Sequence, residues 1–191
     1  RGLATAALQR VLAAAGHDWL LASAFALNGY QTGVLTAARA RPLSACVQRH
    51  FEPLLQLPKS TAIARYALGG SAQSLAVANV HSINFVLDLA AYRAQLEAIA
   101  AELADHRGPV IVAGDFNTWS PERLATVTDV MQRLGLTPVL PLVDTRSRFL
   151  GQQVDFIFVR GLEVVHAQAP QVESSDHNPV LATLRVPDAP R

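Results

Sequence analysis

Gly114-Asp115-Phe116-Asn117-Thr118-Trp119-Ser120 follows Pro109-Val110-Ile111-Val112-Ala113, a short apolar run that reads as a buried strand, and precedes a segment with helical spacing. Asp115 and Asn117 therefore stand at the carboxyl end of a strand. In open α/β sheets that rim is where ligands bind, because loops and helix amino termini converge there. Two residues apart on an extended chain, the pair shares a side and offers a carboxylate and an amide carbonyl. These are hard oxygen donors, suited to a divalent cation or to holding a water. The same pair would equally serve a plain turn after a strand.

On either side of this stretch the chain alternates. A stripe of Leu89, Tyr92, Leu96, Ile99 and Leu103 predicts a helix from Asp88, closed by Gly108-Pro109. Ser120-Pro121-Glu122 combines a cap residue, proline at the first helical position and an acid in the first turn, so a helix to about Leu134 follows, with Leu124, Val127, Met131 and Leu134 inward. Leu75 to His81 alternates as a strand that turns Asn79 and His81 toward a rim or a site. Further out, the reading gives a helix over 3–15, strands at 19–22, 34–37, 60–67, 154–159, 162–169 and 181–186, a loop at 28–33, and a surface loop over 139–152. Residues 46–58 show no period. Strands alternating with helices argue an α/β fold, and 191 residues, half of them hydrophobic, suffice for one domain over 1–191.

Composition narrows the function. A net charge of +1 gives no general attraction to polyanions, so nothing favours an extended duplex footprint. No apolar run is long enough to cross a bilayer, and the single cysteine, Cys46, permits no internal disulfide. A soluble, cytoplasmic protein is the expectation. Lys59 is the only lysine; the other basic residues are arginines.

Asp176-His177 places a carboxylate and an imidazole side by side in a polar loop before the last strand. Adjacent residues point differently, so Asp176 suits a cation and His177 a phosphoryl oxygen or a water. Asp155, flanked by Val154 and Phe156, needs a partner if it is buried: either His177, whose tautomer it would fix, or an arginine such as Arg146 or Arg148. His81 reads either as a structural histidine or as a site residue. Trp119 would stack on a base or sugar, or cap the core. His17, His50, His106 and His166 lack such neighbours and read as surface residues.

Asn79-Val80-His81, Gly114-Asp115-Phe116-Asn117, Val154-Asp155-Phe156-Ile157-Phe158 and Ser175-Asp176-His177-Asn178-Pro179 resemble, in order and spacing, the endonuclease/exonuclease/phosphatase superfamily (DNase I-like). His81-Ser82-Ile83-Asn84-Phe85, Phe116-Asn117-Thr118-Trp119-Ser120 and Arg160-Gly161-Leu162 are most similar to its bacterial YafD-type branch. The resemblance implies a four-layer α/β/β/α sandwich with two mixed β-sheets, and Mg²⁺- or Mn²⁺-dependent hydrolysis of phosphoesters. It implies catalytic roles for Asp115, Asn117, His177, Asp155 and His81, metal ligation by Asp176, Asp115 and Asn117, and substrate contacts from Asn79, Asn84, Trp119, Arg146 and Arg148. The substrate stays open among nucleic acid, a phospholipid headgroup and a small phosphate ester. Family members also carry two earlier strands, with an asparagine and a metal-binding glutamate, that are not seen here. The expectation is an N-terminally incomplete domain with weakened metal binding and a tendency to self-associate. A non-catalytic binding or scaffold domain of the same fold is the alternative.

Overall fold

The computed structural model describes residues 3–86 and 88–187, with side chains from residue 7 onward. Its centre is a six-stranded mixed sheet. The strands are β3 (Ser44–Phe51), β4 (Pro58–Ala67), β5 (Ser74–His81), β6 (Val110–Asp115), β10 (Asp155–Arg160) and the two-residue β7 (Thr137–Pro138), in the order β3-β4-β5-β6-β10-β7. Only β5 and β6 run parallel. A parallel neighbour needs a crossover, and helix α2 (Leu89–Leu103) lies in the connection from β5 to β6.

One face of this sheet is covered by α2 and by α3 (Pro121–Arg133). Strand alternation sends Ala76, Ala78, Val80, Val110, Val112, Phe156 and Phe158 to that face, where they meet Tyr92, Leu96, Ile99, Val127 and Met131. Leu96, Ile99, Val112 and Val127 are wholly buried, and each such side chain contributes about 1.5–3 kcal/mol relative to leaving it in water. The capping signal of α3 works as read, the Ser120 hydroxyl accepting from Arg123 N with Pro121 opening the helix, and α2 is capped by the Asp88 carboxylate, which accepts from Ala90 N.

The opposite face carries two antiparallel hairpins. One joins β1 (Asp18–Leu27) to β2 (Tyr30–Ala38) and packs over β4 and β5 through Ala22, Val34 and Ala62. Helix α1 (Leu3–Ala14) lies against this hairpin. The other joins β11 (Glu163–Gln168) to β12 (Leu181–Arg185) and packs through Ala167, Ala182 and Leu184 onto Ile111, Ile157 and Val159. The architecture is α/β with mixed and antiparallel pairing in stacked layers. The second layer consists, among the described residues, of these two separate hairpins, because no ladder bridges them.

Several local expectations are corrected. The loop expected over 28–33 is only the two-residue turn Asn28-Gly29, both at positive φ, which is the turn whose twist matches a tight hairpin. Strand β3 emerges from the stretch without a period. It is an edge strand that turns Cys46, Gln48 and His50 inward and Val47 and Phe51 outward, inverting the usual polarity. The surface loop over 139–152 holds a small hairpin of β8 (Arg148–Phe149) and β9 (Gln152–Gln153), and its Val139 and Arg146 are buried. His17, His50 and His106 are half-buried rather than on the surface; His166 alone is exposed.

Candidate active site

The sheet's register lines up three of the anticipated residues. His81 pairs across to Asp115 in the parallel ladder, and Asp155 pairs to Asp115 in the antiparallel one. The three therefore stand abreast on neighbouring strands, at one rim of the sheet. Gly114 makes the central approach possible. At φ +143° its missing Cβ would lie 2.0 Å from the carbonyl oxygen of Val80, so no larger residue fits.

His177 arrives from the loop before β12, and its Nδ1 lies 2.6 Å from Asp155 Oδ2. That loop is clamped in place: the Ser147 hydroxyl donates to Asp176 O and accepts from Asn178 N, and Asn178 Nδ2 donates to Thr145 O. The His177 proton affinity is raised. Burial is the largest single influence and opposes this, but it is outweighed by the hydrogen bond and charge of Asp155, aided by Asp115 and Asp176. Burial also pushes the Asp155 carboxyl up, against the pull of His177, so the pair as a whole holds its proton. With Nδ1 engaged, Nε2 is the ring nitrogen left for a ligand. Beside the pair lies a cleft of about 280 Å³ lined by Ala113, Gly114, Asp155, Ile157, His177 and Pro179.

On the other side of Asp115, His81 Nε2 is 3.7 Å from Asp115 Oδ2 and 3.2 Å from Lys59 Nζ. Burial first, and then the Lys59 charge, hold His81 below its ordinary value. Asn117 is buried with φ +48°; its backbone N–H donates to Asp115 Oδ1 and its amide Nδ2 to Ser82 O. The amide's carbonyl oxygen and Asp115 Oδ2 are thereby left for water or a cation.

The segment from His81 to Val86 is held by side chains that the sequence reading passed over. Gln95 donates to His81 O and accepts from Ile83 N. Glu52, fully buried, accepts from Asn84 N and Phe85 N. Arg123, also fully buried, donates to the carbonyls of Asn117, Val86 and Ile83 and lies 3.9 Å from the centre of the Tyr92 ring and 4.8 Å from that of Trp119. Tyr92 in turn donates to Phe116 O. Among the described residues no carboxylate lies within 4.0 Å of Arg123. Three carbonyl dipoles and two ring faces balance its charge instead. The signal available for it was position: Arg123 lies on the same face of α3 as Val127 and Val130.

The remaining anticipated residues are placed differently. Asn79 turns its amide away from the rim, to Leu35 O and Thr36 Oγ1, and so straps β5 to the β1–β2 hairpin. Arg146 is buried and committed to Asp144 through two nitrogens, over the Phe156 ring; its contact with Asp155 is to the backbone carbonyl. Arg148 bonds Gly151 O within its own small hairpin. Trp119 Nε1 donates to Asn84 Oδ1, and both adjoin the segment after β5; Trp119 lines an open apolar groove of about 470 Å³ with Pro53, Leu54 and Phe85. Asp176 is exposed. The site's core is thus His81, Asp115, Asn117, Asp155 and His177.

An α/β fold with an Asp-His pair and a second histidine flanking one aspartate at a sheet rim defines a class, and the profile of the Endonuclease/Exonuclease/phosphatase family matches residues 4–177. The chain belongs to that family. It is 41% identical over 181 residues to a UPF0294 protein of Vibrio vulnificus (strain YJ016), covering 94% of this chain and 63% of that protein. The chain thus spans less than two thirds of the relative's length. Among solved structures it resembles an endonuclease/exonuclease/phosphatase from Bacteroides vulgatus (TM-score 0.71, 16% identity, 94% of this chain and 80% of that one). It also resembles ANGEL2, a 2′,3′-cyclic phosphatase in complex with adenosine-2′,3′-vanadate (TM-score 0.70, 16% identity, 95% and 78%). The family acts on phosphoesters and is typically dependent on a divalent metal. No helix among the described residues is long and apolar enough to cross a membrane.

Proposed function

We propose that the full-length protein hydrolyses a phosphoester bond at the rim formed by His81, Asp115, Asn117, Asp155 and His177. The observation that carries this reading is the alignment of His81, Asp115 and Asp155 on three adjacent strands, with His177 bonded to Asp155 at 2.6 Å. Asp115 and Asn117 hold the attacking water: the carboxylate accepts its proton and the amide carbonyl orients it. His177, whose protonated form the Asp155 carboxylate favours, donates from Nε2 to the phosphoryl oxygen where charge builds up. The arrangement suits in-line displacement, in which positioning and electrostatics do most of the catalysis.

A divalent cation would be held by the oxygen donors Asp115, Asp176 and Asn117. The two carboxylates both lie near enough to favour the charged form of His177. Among the described residues, however, no three His, Cys, Asp or Glu side chains gather as a cage. Mg²⁺ keeps several waters and uses few carboxylates, so a sparse oxygen set suits it chemically. When bound, the ion supplies positive charge to the phosphoryl oxygens. That sparse set also favours the second reading, a binding or scaffold domain that keeps the fold without the reaction.

The test is hydrolysis by the full-length protein of bis-p-nitrophenyl phosphate, a 2′,3′-cyclic nucleotide, a phospholipid headgroup ester and a sugar phosphate, with Mg²⁺ and with Mn²⁺. Turnover lost in Asp115→Asn and in His177→Ala, with both variants folded, supports the enzyme. Turnover kept in both, or absent from the wild type on every substrate, removes it.

A further inference from the structure

We infer that Lys59 is an anion-contacting residue of this site, supplying the ammonium that meets a phosphoryl oxygen on the His81 side, while His81 serves as that ammonium's acceptor. The inference rests on the phosphoester reading above. Lys59 is the only lysine of the chain. It stands at the start of β4, where the neighbouring Ser60 hydroxyl fixes the strand by donating to Ala22 O at 2.7 Å. Its side chain reaches round the strand end to His81.

Lys59 Nζ lies 3.2 Å from His81 Nε2, and the same nitrogen faces Asp115 Oδ2 at 3.7 Å. An ammonium has three donors and no lone pair, so the imidazole must present its own lone pair at Nε2 and carry its proton on Nδ1. His81 then cannot donate to a phosphate from Nε2. Lys59 can, because among the described residues its three N–H groups make one hydrogen bond, that to His81. Among the described residues no carboxylate lies within 4.0 Å of Nζ. A half-buried ammonium without a counter-ion, beside a water-holding aspartate, is a charge arranged for an anionic ligand. Lys59 and His177 would then flank the phosphoryl group from opposite sides of Asp115.

Inorganic phosphate is the probe, titrated into full-length protein carrying ¹⁵N-labelled histidine and followed by NMR of the ring nitrogens. Phosphate should shift His81 and His177 in the wild type, and Lys59→Met should weaken binding about tenfold or more, the loss typical of one charge-assisted hydrogen bond. Lys59→Gln, which keeps a polar side chain, should show the same loss if the Met variant misfolds. His81→Gln, which leaves the ammonium in place, should weaken binding by less than Lys59→Met does. Equal affinity in wild type and Lys59→Met overturns the inference and leaves the phosphoester reading standing. So does an equal loss in His81→Gln, because Lys59 would then act only through the imidazole. Phosphate that shifts neither histidine in the wild type overturns both readings.

Discussion

His177 donates from Nδ1 to the Asp155 carboxylate at 2.6 Å, although Asp155 opens β10 and His177 follows β11, with that whole strand between them. Their contact raises the proton affinity of His177 above its unfolded value near 6.5. A group raised on folding stabilises fully below its unfolded pKa, and that contribution is lost as pH rises through the folded pKa. The wild type should therefore hold its largest lead in melting temperature over His177→Gln near pH 5–6, and the lead should shrink toward pH 9. Thermal unfolding of both proteins across that range checks it; a lead that grows with pH contradicts the pairing.

Arg123 is the strut of the His81–Val86 segment. Arg123→Met leaves three buried carbonyls without a donor, each costing about 1–3 kcal/mol. A loss of roughly 3–5 kcal/mol in urea unfolding is expected. Arg123→Lys should recover little of it, because an ammonium cannot lie flat between two rings and reach three acceptors.

Gly114→Ala and Gly70→Ala form a contrast. Both glycines have positive φ, but a Cβ at Gly114 meets Val80 O at 2.0 Å, whereas one at Gly70 meets nothing within 4 Å. The Gly70 variant should lose about 1 kcal/mol from backbone conformation alone. The Gly114 variant should lose several times more and should show faster amide exchange along β5 and β6.

Calorimetric titration of this 191-residue chain with Mg²⁺ or Mn²⁺ should show weak binding, in the millimolar range, since few carboxylates converge at the site. Micromolar affinity would contradict that donor count. Asp115→Asn should weaken the binding further.

Much of the site was legible because its residues sit in short polar islands at the ends of apolar strands. The strand before Asp115, the alternation ending at His81 and the polar loop at Asp176-His177 each carry a local signature. Asp155 could be paired with His177 only through chemistry, and in the fold its carboxylate meets the histidine while Arg146 and Arg148 are bonded elsewhere. What stayed hidden was long-range. Glu52 bonds a segment more than 30 positions away, Arg123 another about 40 away, and Asn79 spends its amide on β2, which no spacing rule announces. Strand β3 was missed because its inward residues are polar.

The single same-direction pairing in the central sheet has a consequence for assembly of the rim. His81 and Asp115 both end their strands, so they coincide only because β5 and β6 point the same way. Neither the β4–β5 ribbon nor the connecting helix contains the site in miniature; the pair meets once the crossover has closed. A peptide excised from either side would carry the residues but not the rim.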